Sequence, residues 1–584
     1  MTAVNNAALD DLPDRVPVLI AGGGPSGLFL ALDLANRGIR SLVIEPRTTI
    51  DPDRPRAKTT NARTMTHLRR LGLADKLREA APLPVGYAQD VIFCSALTGH
   101  EVTRFRQAFQ LVTGRYGPQP ECGQQVPQPV MEAVLREAAA ESPLITLLTG
   151  LSVEDLDINQ GGGTPGPGRP RFGSRVAVSD ATGRRKAVDC NFVAAADGGS
   201  STVRRRLNIR LAGGSAELSN ISVLFRSDTL AAAITLDPAV QYWVLGPEVS
   251  GMVGRLDLGS TWWAIIQGVD GSGSPDAGRL VRSLVGAGVD VDVEVIAIDP
   301  WTARMLLAPG YGHDGVFLVG DAAHLNPPWG GHGFNTCIGD AANLAWKIAA
   351  ALEGWAGPAL PGSYELERRP VAARTIRDAA ANGKSLAYHF ADPALGRTDA
   401  DGEAARRAAK DALAVKQSEF DSLGLVLGYT YGSSPLVVPD GLPVPAEDPV
   451  SYVPSASPGS LLPHAWLDAT TSLYDLLDTG FTLLVDRDSL RGAPARQAYA
   501  AVLAAAAIHG IPLAVVDVGP DQHGTPMTTH WQAAAVLVRP DQHVAWRGTD
   551  PARAAAAIGV AAGWPLATPS EDPDRRTRVR AVLP

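Results

Sequence analysis

Three glycine-bearing motifs, each placed directly after a short apolar run, carry the residues best suited to chemistry in this chain. The first is Gly22, Gly24 and Gly27, spaced GxGxxG after residues 16–21 (VPVLIA). Such a turn bends sharply at Gly22, approaches a diphosphate at Gly24 and packs helix on strand at Gly27, with Pro25 and Ser26 opening the helix. The helix start offers unpaired N–H groups and positive dipole to that anion. Glu45 closes the next apolar run, SLVIE, where a carboxylate accepts both ribose hydroxyls and disfavours a 2′-phosphate. The resident nucleotide is therefore expected to be FAD or NAD rather than NADP. Arg47, two residues on, is placed to meet the diphosphate or the adenosine.

The second motif is FVAAADGGSSTVRR, residues 192–205, in which an apolar strand ends at Asp197 and Gly198. Read alone it is a strand-to-helix turn with Ser201 as the cap. The third, residues 316–349, is VFLVGDAAHLNPPWGGHGFNTCIGDAANLAWKIA. Its strand leads to Gly320 and Asp321, whose carboxylate can accept a sugar hydroxyl. Pro327 and Pro328 predict an extended turn with carbonyls free to face a substrate. Gly330, Gly331 and Gly333 permit close approach to a flat ring. A helix is expected to start near Phe334 and Asn335, its positive end stabilising charge on a reduced ring system. His324 and His332 are expected to position this loop rather than to move a proton.

The elements that must place these residues follow from pattern. The first motif sits in a strand–helix–strand unit, and the whole chain reads as α/β. At 584 residues it needs two or three domains. A net charge of −9 without a dense basic patch excludes a nucleic-acid binder. Cys94, Cys122, Cys190 and Cys337 are scattered without metal-ligand or CxxC spacing, which fits a reducing cytoplasm and no metal. The apolar stretch 16–35 is preceded by acids and broken by glycines, Pro25 and Asp33, so it is not read as a signal sequence. No transmembrane span is expected, and the localisation read is cytoplasmic.

The order of the three motifs resembles the class A flavoprotein monooxygenases, the aromatic hydroxylases of the p-hydroxybenzoate hydroxylase fold. Their DGxxSxVR pattern is matched by Asp197, Gly198, Ser201, Val203 and Arg204, and residues 316–349 follow their GD segment. The resemblance implies FAD contacts for Arg56 in PRAKTTNARTM, with Arg63 and Thr64 beside it, and for Gln128 at the start of a helix. One departure is GHDGV, residues 312–316, where the family often carries a basic residue.

The implied architecture is a Rossmann-like FAD-binding domain (residues 1–84, 113–205 and 299–395) interleaved with an antiparallel substrate sheet (85–112 and 206–298). GGGTPGPGRP, residues 161–170, reads as a mobile surface loop within the first. Phe225, Tyr242 and Pro328 are the expected substrate contacts, although alternation along a strand leaves the facing of the aromatics open. A helical connector (396–450) leads to a C-terminal domain (451–584) of alternating strands and helices, beginning at PGSLLPHAWL. It resembles the thioredoxin-like domain of the phenol hydroxylase subgroup but holds no cysteine, so thiol chemistry is excluded and a structural or dimer-supporting role is expected.

The function implied by the resemblance is hydroxylation of an electron-rich aromatic through a flavin C4a-hydroperoxide, with dioxygen as co-substrate and NADPH or NADH as transient reductant. Composition and the C-terminal domain lean towards tailoring of polycyclic natural products. No residue stands out as a general base. The alternative is an FAD oxidase or dehydrogenase without oxygen insertion, since redox outcome is not written in nucleotide motifs. A halogenase is disfavoured because Trp262–Trp263–Ala264–Ile265 lacks the WxWxIP spacing. Intact motifs argue against an interaction protein that has lost turnover.

Overall fold

The computed structural model describes residues 9–159, 173–269, 273, 275–489 and 492–566. The glycine- and proline-rich segment 161–170 lies outside them. The near-continuous apolar strand Arg15–Ala21 pairs in parallel with Arg185–Ala195 on one side and Ser41–Glu45 on the other. Beyond these, Val316–Leu318 pairs with Arg185–Ala195, and Ile145–Thr149 with Ser41–Glu45. Strands this apolar must be covered on both faces. The helices Pro25–Asn36 and His332–Glu353 pack on each other over this sheet. A consequence for function follows directly. Three neighbouring parallel strands end at Ala21, Ala195 and Leu318, so all three glycine motifs leave the sheet at the same edge. Ligands of open α/β sheets bind in that crevice.

The second sheet has eight strands, in the order His324–Leu325, Glu294–Leu307, Ala212–Arg226, Thr261–Gln267, Gly251–Arg255, Gln241–Val244, Val91–Cys94 and Glu101–Phe105. It is antiparallel except where Gln241–Val244 runs parallel to Val91–Cys94. Glu294–Leu307 is a single strand paired to Ala212–Arg226 along its length, so residues 299–307 belong to the substrate sheet and not to the flavin domain.

Alternation settles the two faces of this sheet. Ile221, Val223, Phe225, Tyr242 and Trp262 are buried in a core with Leu280, Val281 and Leu284 of the helix Ala277–Val285. Leu224, Met252, Trp263 and Ile265 point to the opposite side, towards the flavin domain. Gly254 makes room there for the Trp263 indole, because a Cβ at that position would stand 2.7 Å from the ring.

The C-terminal unit is a four-stranded sheet in the order Leu513–Val518, Phe481–Asp486, Ala535–Val538, Val544–Gly548. The first pair is parallel and the others antiparallel, with the helices Gly492–Ile508 and Ala554–Ala561 alongside. Phe481, Leu483 and Leu537 pack against Trp346, Ala350 and Trp355, so the unit docks on the long helix His332–Glu353 and the turn after it. PGSLLPHAWL forms no strand; it makes only the isolated bridges Thr430–Ser460, Leu461–His543 and Trp466–Ser472. The connector is helical over Ala400–Leu413, Gln417–Phe420 and Leu423–Leu427. It also reaches the cavity through Glu419, while the adjacent Phe420 packs on Phe93, Phe105 and Trp243 behind the wall.

Candidate active site

The crevice is built largely from backbone. Gly22 has φ 101°, and a Cβ on Gly27 would lie 2.0 Å from the Gly22 carbonyl oxygen, so both positions demand glycine. The helix Pro25–Asn36 starts at Gly24 with no side-chain cap, and a Cβ on Gly24 would meet nothing within 4 Å. A bare helix N-terminus with open space before it suits an anion. Glu45 is aimed by two neighbours: the Gly23 amide donates to Oε2 at 2.7 Å, and the Arg47 amide to Oε1 at 2.9 Å. Arg47 also reaches Glu132 at 3.0 Å, so its half-exposed guanidinium braces acids rather than standing free.

At the second motif, Asp197 Oδ2 accepts the amides of Thr202 and Val203 at 2.7 and 3.2 Å, whereas its buried Oδ1 has no partner. Gly198 has φ 78°. Arg204 donates to the carbonyls of Gly199 and Ala322 at 2.7 and 3.0 Å, which ties this motif to the third. An orphaned carboxylate oxygen, a second exposed carboxylate at Asp321 and an uncapped helix form a donor and acceptor set that fits a flavin dinucleotide.

The third motif runs through Gly320 (φ 62°) and Asp321, then Gly330 and Gly331 (φ 80° and 65°), into the helix His332–Glu353. That helix begins two residues before the expected start and also lacks a side-chain cap. Asn335 locks its first turn, donating to the carbonyls of Thr59 and Gly331 and accepting the Asn61 amide. Gly333 and Phe334 line the adjoining cavity. Pro328 departs from expectation. It opens a tight 3-10 turn, and its carbonyl accepts the Gly331 amide at 3.1 Å, so it is not free to face a substrate, although the residue lines the cavity.

His324 and His332 act on the loop. His324 Nε2 lies 2.8 Å from Asp340, whose other oxygen accepts Arg368 Nε at 2.8 Å, and Asp340 also meets the Gly320 amide. Burial pushes His332 down to about 4, which keeps it neutral at neutral pH, and its Nε2 has no partner. Sequence patterns did not reveal the Asp340–Arg368 pair, because it joins two helices 28 residues apart.

Between the two domains lies a cavity of about 370 Å³ that opens onto residues 330–334. Leu224, Met252, Trp263, Trp301 and Phe334 are among its walls. Phe225 and Tyr242, expected as substrate contacts, do not line it. They sit on the far face of the sheet, where the Tyr242 hydroxyl donates to the Asp237 carbonyl. The residues beside them in sequence line the cavity instead, as a period of two requires. Arg56 lines the cavity with φ 38°, and Gln128 donates its amide to the carbonyls of Pro55 and Ala57, fastening the segment that carries it. Arg63 turns away from the crevice, buried against Gln542 and the Asp541 carbonyl of the C-terminal unit.

Two residues that sequence reading passed over complete the cavity. Glu419, from the connector, is buried and paired with Lys416. Lys58 Nζ sits 4.3 Å from the Trp263 ring centroid, and burial pushes its ammonium down to about 8. Lys58 lies within PRAKTTNARTM, where no local pattern distinguishes a cavity-facing lysine from a solvated one.

Fold and site together define a flavin-dinucleotide enzyme with a largely apolar cavity beside the third glycine motif. Residues 15–379 match the FAD binding domain family, and residues 455–565 match the C-terminal domain of aromatic-ring hydroxylases. The FAD-dependent monooxygenase apdD of Emericella nidulans is 31% identical over 571 residues, covering 91% of this chain and 87% of that protein. Phenol 2-monooxygenase of a Pseudomonas species (strain EST1001) is 31% identical over 91% of this chain and 89% of its own length. Among solved structures, RebC soaked with chromopyrrolic acid and holding 7-carboxy-K252c superposes with a TM-score of 0.81 at 32% identity, covering 94% of this chain and 100% of RebC. This chain belongs to the FAD-dependent aromatic-ring hydroxylases. It is a monooxygenase that uses FAD, and no helix among its described residues is long and apolar enough to cross a membrane.

Proposed function

We propose that this enzyme hydroxylates a multi-ring phenolic substrate held in the cavity between the two domains, with NADPH or NADH as the reductant. The observation that carries this reading is the cavity itself: about 370 Å³, walled by Trp263, Trp301, Met252 and Leu224, and ending on the glycine loop. That volume lies within the range of small-molecule sites, and its aromatic walls suit flat rings. RebC, with its bound 7-carboxy-K252c, is similar over nearly the whole chain and supports the multi-ring choice.

In this reading the first glycine turn and Gly24 hold the FAD diphosphate, and Glu45 holds the ribose. Asp197, Asp321, Arg56 and Gln128 serve the remaining sugar and phosphate groups. The start of the helix at Gly331–Asn335 meets the pyrimidine edge of the ring system, where its dipole favours negative charge. When bound, the flavin supplies the activation of dioxygen. The protein orients the substrate ring and excludes water from the chamber. His332, neutral by burial, adds no competing positive charge to the loop.

The strand order of the C-terminal unit supports a thioredoxin-like reading, with a structural task in place of thiol chemistry because residues 451–584 hold no cysteine. A cytoplasmic homodimer is the assembly this reading adopts. The test is aerobic oxidation of NADPH and NADH with phenols of one to four rings, with products weighed by mass spectrometry and peroxide counted. Multi-ring products heavier by one oxygen atom are expected. Product from single-ring phenols alone would overturn the size reading. Reductant consumption that yields only peroxide with every compound would favour an oxidase.

A further inference from the structure

Lys58 is placed with unusual care for a surface-type side chain. Its backbone is pinned on both sides: the Val126 amide donates to the Lys58 carbonyl at 2.9 Å, Thr59 and Thr60 pair with Gln125 and Gln124, and the Gln128 amide holds the Ala57 carbonyl at 2.8 Å. Arg56 adopts φ 38°, in the left-handed region, and its carbonyl accepts Lys58 Nζ at 2.9 Å. A non-glycine residue in that region is strained, and such strain gathers at functional sites. The ammonium lies 4.3 Å from the Trp263 ring centroid, and both side chains line the cavity.

The ammonium stands without an acid. The other charged groups lining the cavity are Asp53, Arg54 and Arg56 on the same segment, Asp299 on the strand Glu294–Leu307, and Glu419 on the helix Gln417–Phe420. Glu419 is taken by Lys416, and among the described residues no carboxylate lies within ion-pair distance of Lys58. Half-buried in the cavity wall, the ammonium has one carbonyl and one aromatic face for company and no anionic partner.

We propose that Lys58 is the substrate-binding cation of this hydroxylase and holds the phenolic oxygen of the aromatic substrate in its ionised form. The step is one proton transfer. The phenol O–H bond breaks, an N–H bond of the ammonium forms, charge is conserved and no electron moves. The same ammonium–phenolate pair arises when a phenolate meets the protonated side chain. A phenolate ring is richer in electrons at its ortho and para carbons, which favours electrophilic oxygen insertion there. The depressed pKa of Lys58 serves this exchange, since acid and base partners near the working pH share a proton most readily.

The inference rests on the phenolic-substrate reading, and binding tests it independently of turnover or ring count. FAD-loaded full-length protein is titrated with a nitro-substituted naphthol, whose phenolate band is visible, and with its methyl ether, which cannot ionise. Wild type should bind the naphthol as the phenolate and prefer it to the ether. K58M should weaken the naphthol by about tenfold or more, the worth of a charge-assisted hydrogen bond, and leave the ether nearly unchanged. K58R should keep phenolate binding and lose only the alkaline fall in affinity that lysine deprotonation causes. Equal weakening of both ligands by K58M, no weakening of either, or a protonated naphthol bound to wild type would overturn the proposal. Failure of multi-ring turnover, by contrast, would leave these binding results standing.

Discussion

The flavin crevice and the seam beneath the C-terminal unit touch the same helix, His332–Glu353, and are built in opposite ways. The crevice is lined by backbone: Gly22, Gly24, Gly27, Gly330 and Gly331 shape it, and two helix starts have no side-chain cap. The seam is made of side chains. Arg539 donates to both oxygens of Glu367, at 2.7 and 2.8 Å, and to Asp541 at 2.6 Å. Lys347 and Ser434 also reach Glu367, at 2.7 and 2.6 Å, and Asn343 reaches Asp541. Glu367 and Arg539 are wholly buried. Backbone sites are open for a ligand, whereas a seam of buried charge must be complete within the protein, since each unpaired member would be costly. The C-terminal unit is therefore part of the flavin domain's own closure and not an appended module.

The largest effect should come from opening the seam. Glu367→Gln keeps shape but leaves Lys347 without an acid and Arg539 with Asp541 alone, and should lower unfolding stability by about 3–5 kcal/mol in urea titration. Burial pushes the Glu367 carboxyl up, but Arg539 and Lys347 outweigh it and hold the pKa below the usual carboxylate range. Because the folded pKa is depressed, its stabilisation is present above the unfolded carboxylate pKa and is lost as pH falls from there through the folded value of about 2. The variant should accordingly show a flatter acid limb of stability against pH, and an unchanged limb would break the comparison.

A smaller effect, of a different kind, is expected in the crevice. Gly27→Ala forces its Cβ against the Gly22 carbonyl oxygen. Backbone strain of roughly 1–3 kcal/mol should weaken FAD binding by about ten- to a hundredfold, measured by flavin release on dilution. Glu367→Gln that remains folded should keep its flavin. If both variants lost flavin equally, crevice and seam would be one unit.

The smallest effect sharpens the contrast between buried and exposed charge across the same seam. Arg69 and Asp475 also join the flavin domain to the C-terminal unit, at 2.9 Å, but both are one-third exposed. Asp475→Asn should lower stability by less than about 1 kcal/mol by the same titration, because solvent screens such pairs.

The crevice was legible because Gly22–Gly27, Glu45, Asp197–Gly198 and Gly320–Asp321 each form a local pattern whose meaning depends on a few neighbours. The third motif predicts a loop and a helix, both present, but the Pro328 carbonyl is turned inward because a 3-10 turn and an extended turn share the same residues. The substrate sheet is legible, but its facing is not: the expected contacts Phe225 and Tyr242 lie on the far face. A period of two identifies alternate sides without saying which side meets the cavity. Arg63 illustrates the limit from the other direction, since its motif suggested the cofactor and its contacts lie 478 and 479 positions away.

By itself the sequence determined the class of cofactor, the strand–helix–strand unit that receives it and the family, because each depends on glycines, acids and apolar runs whose physics is local. The tertiary structure alone decided the rest. It gathered Lys347, Glu367, Ser434, Arg539 and Asp541 into one buried cluster, brought Glu419 of the connector into the chamber wall, and laid Lys58 over Trp263. Such groupings arise from which distant faces exclude water together, and side-chain order along the chain carries no record of that.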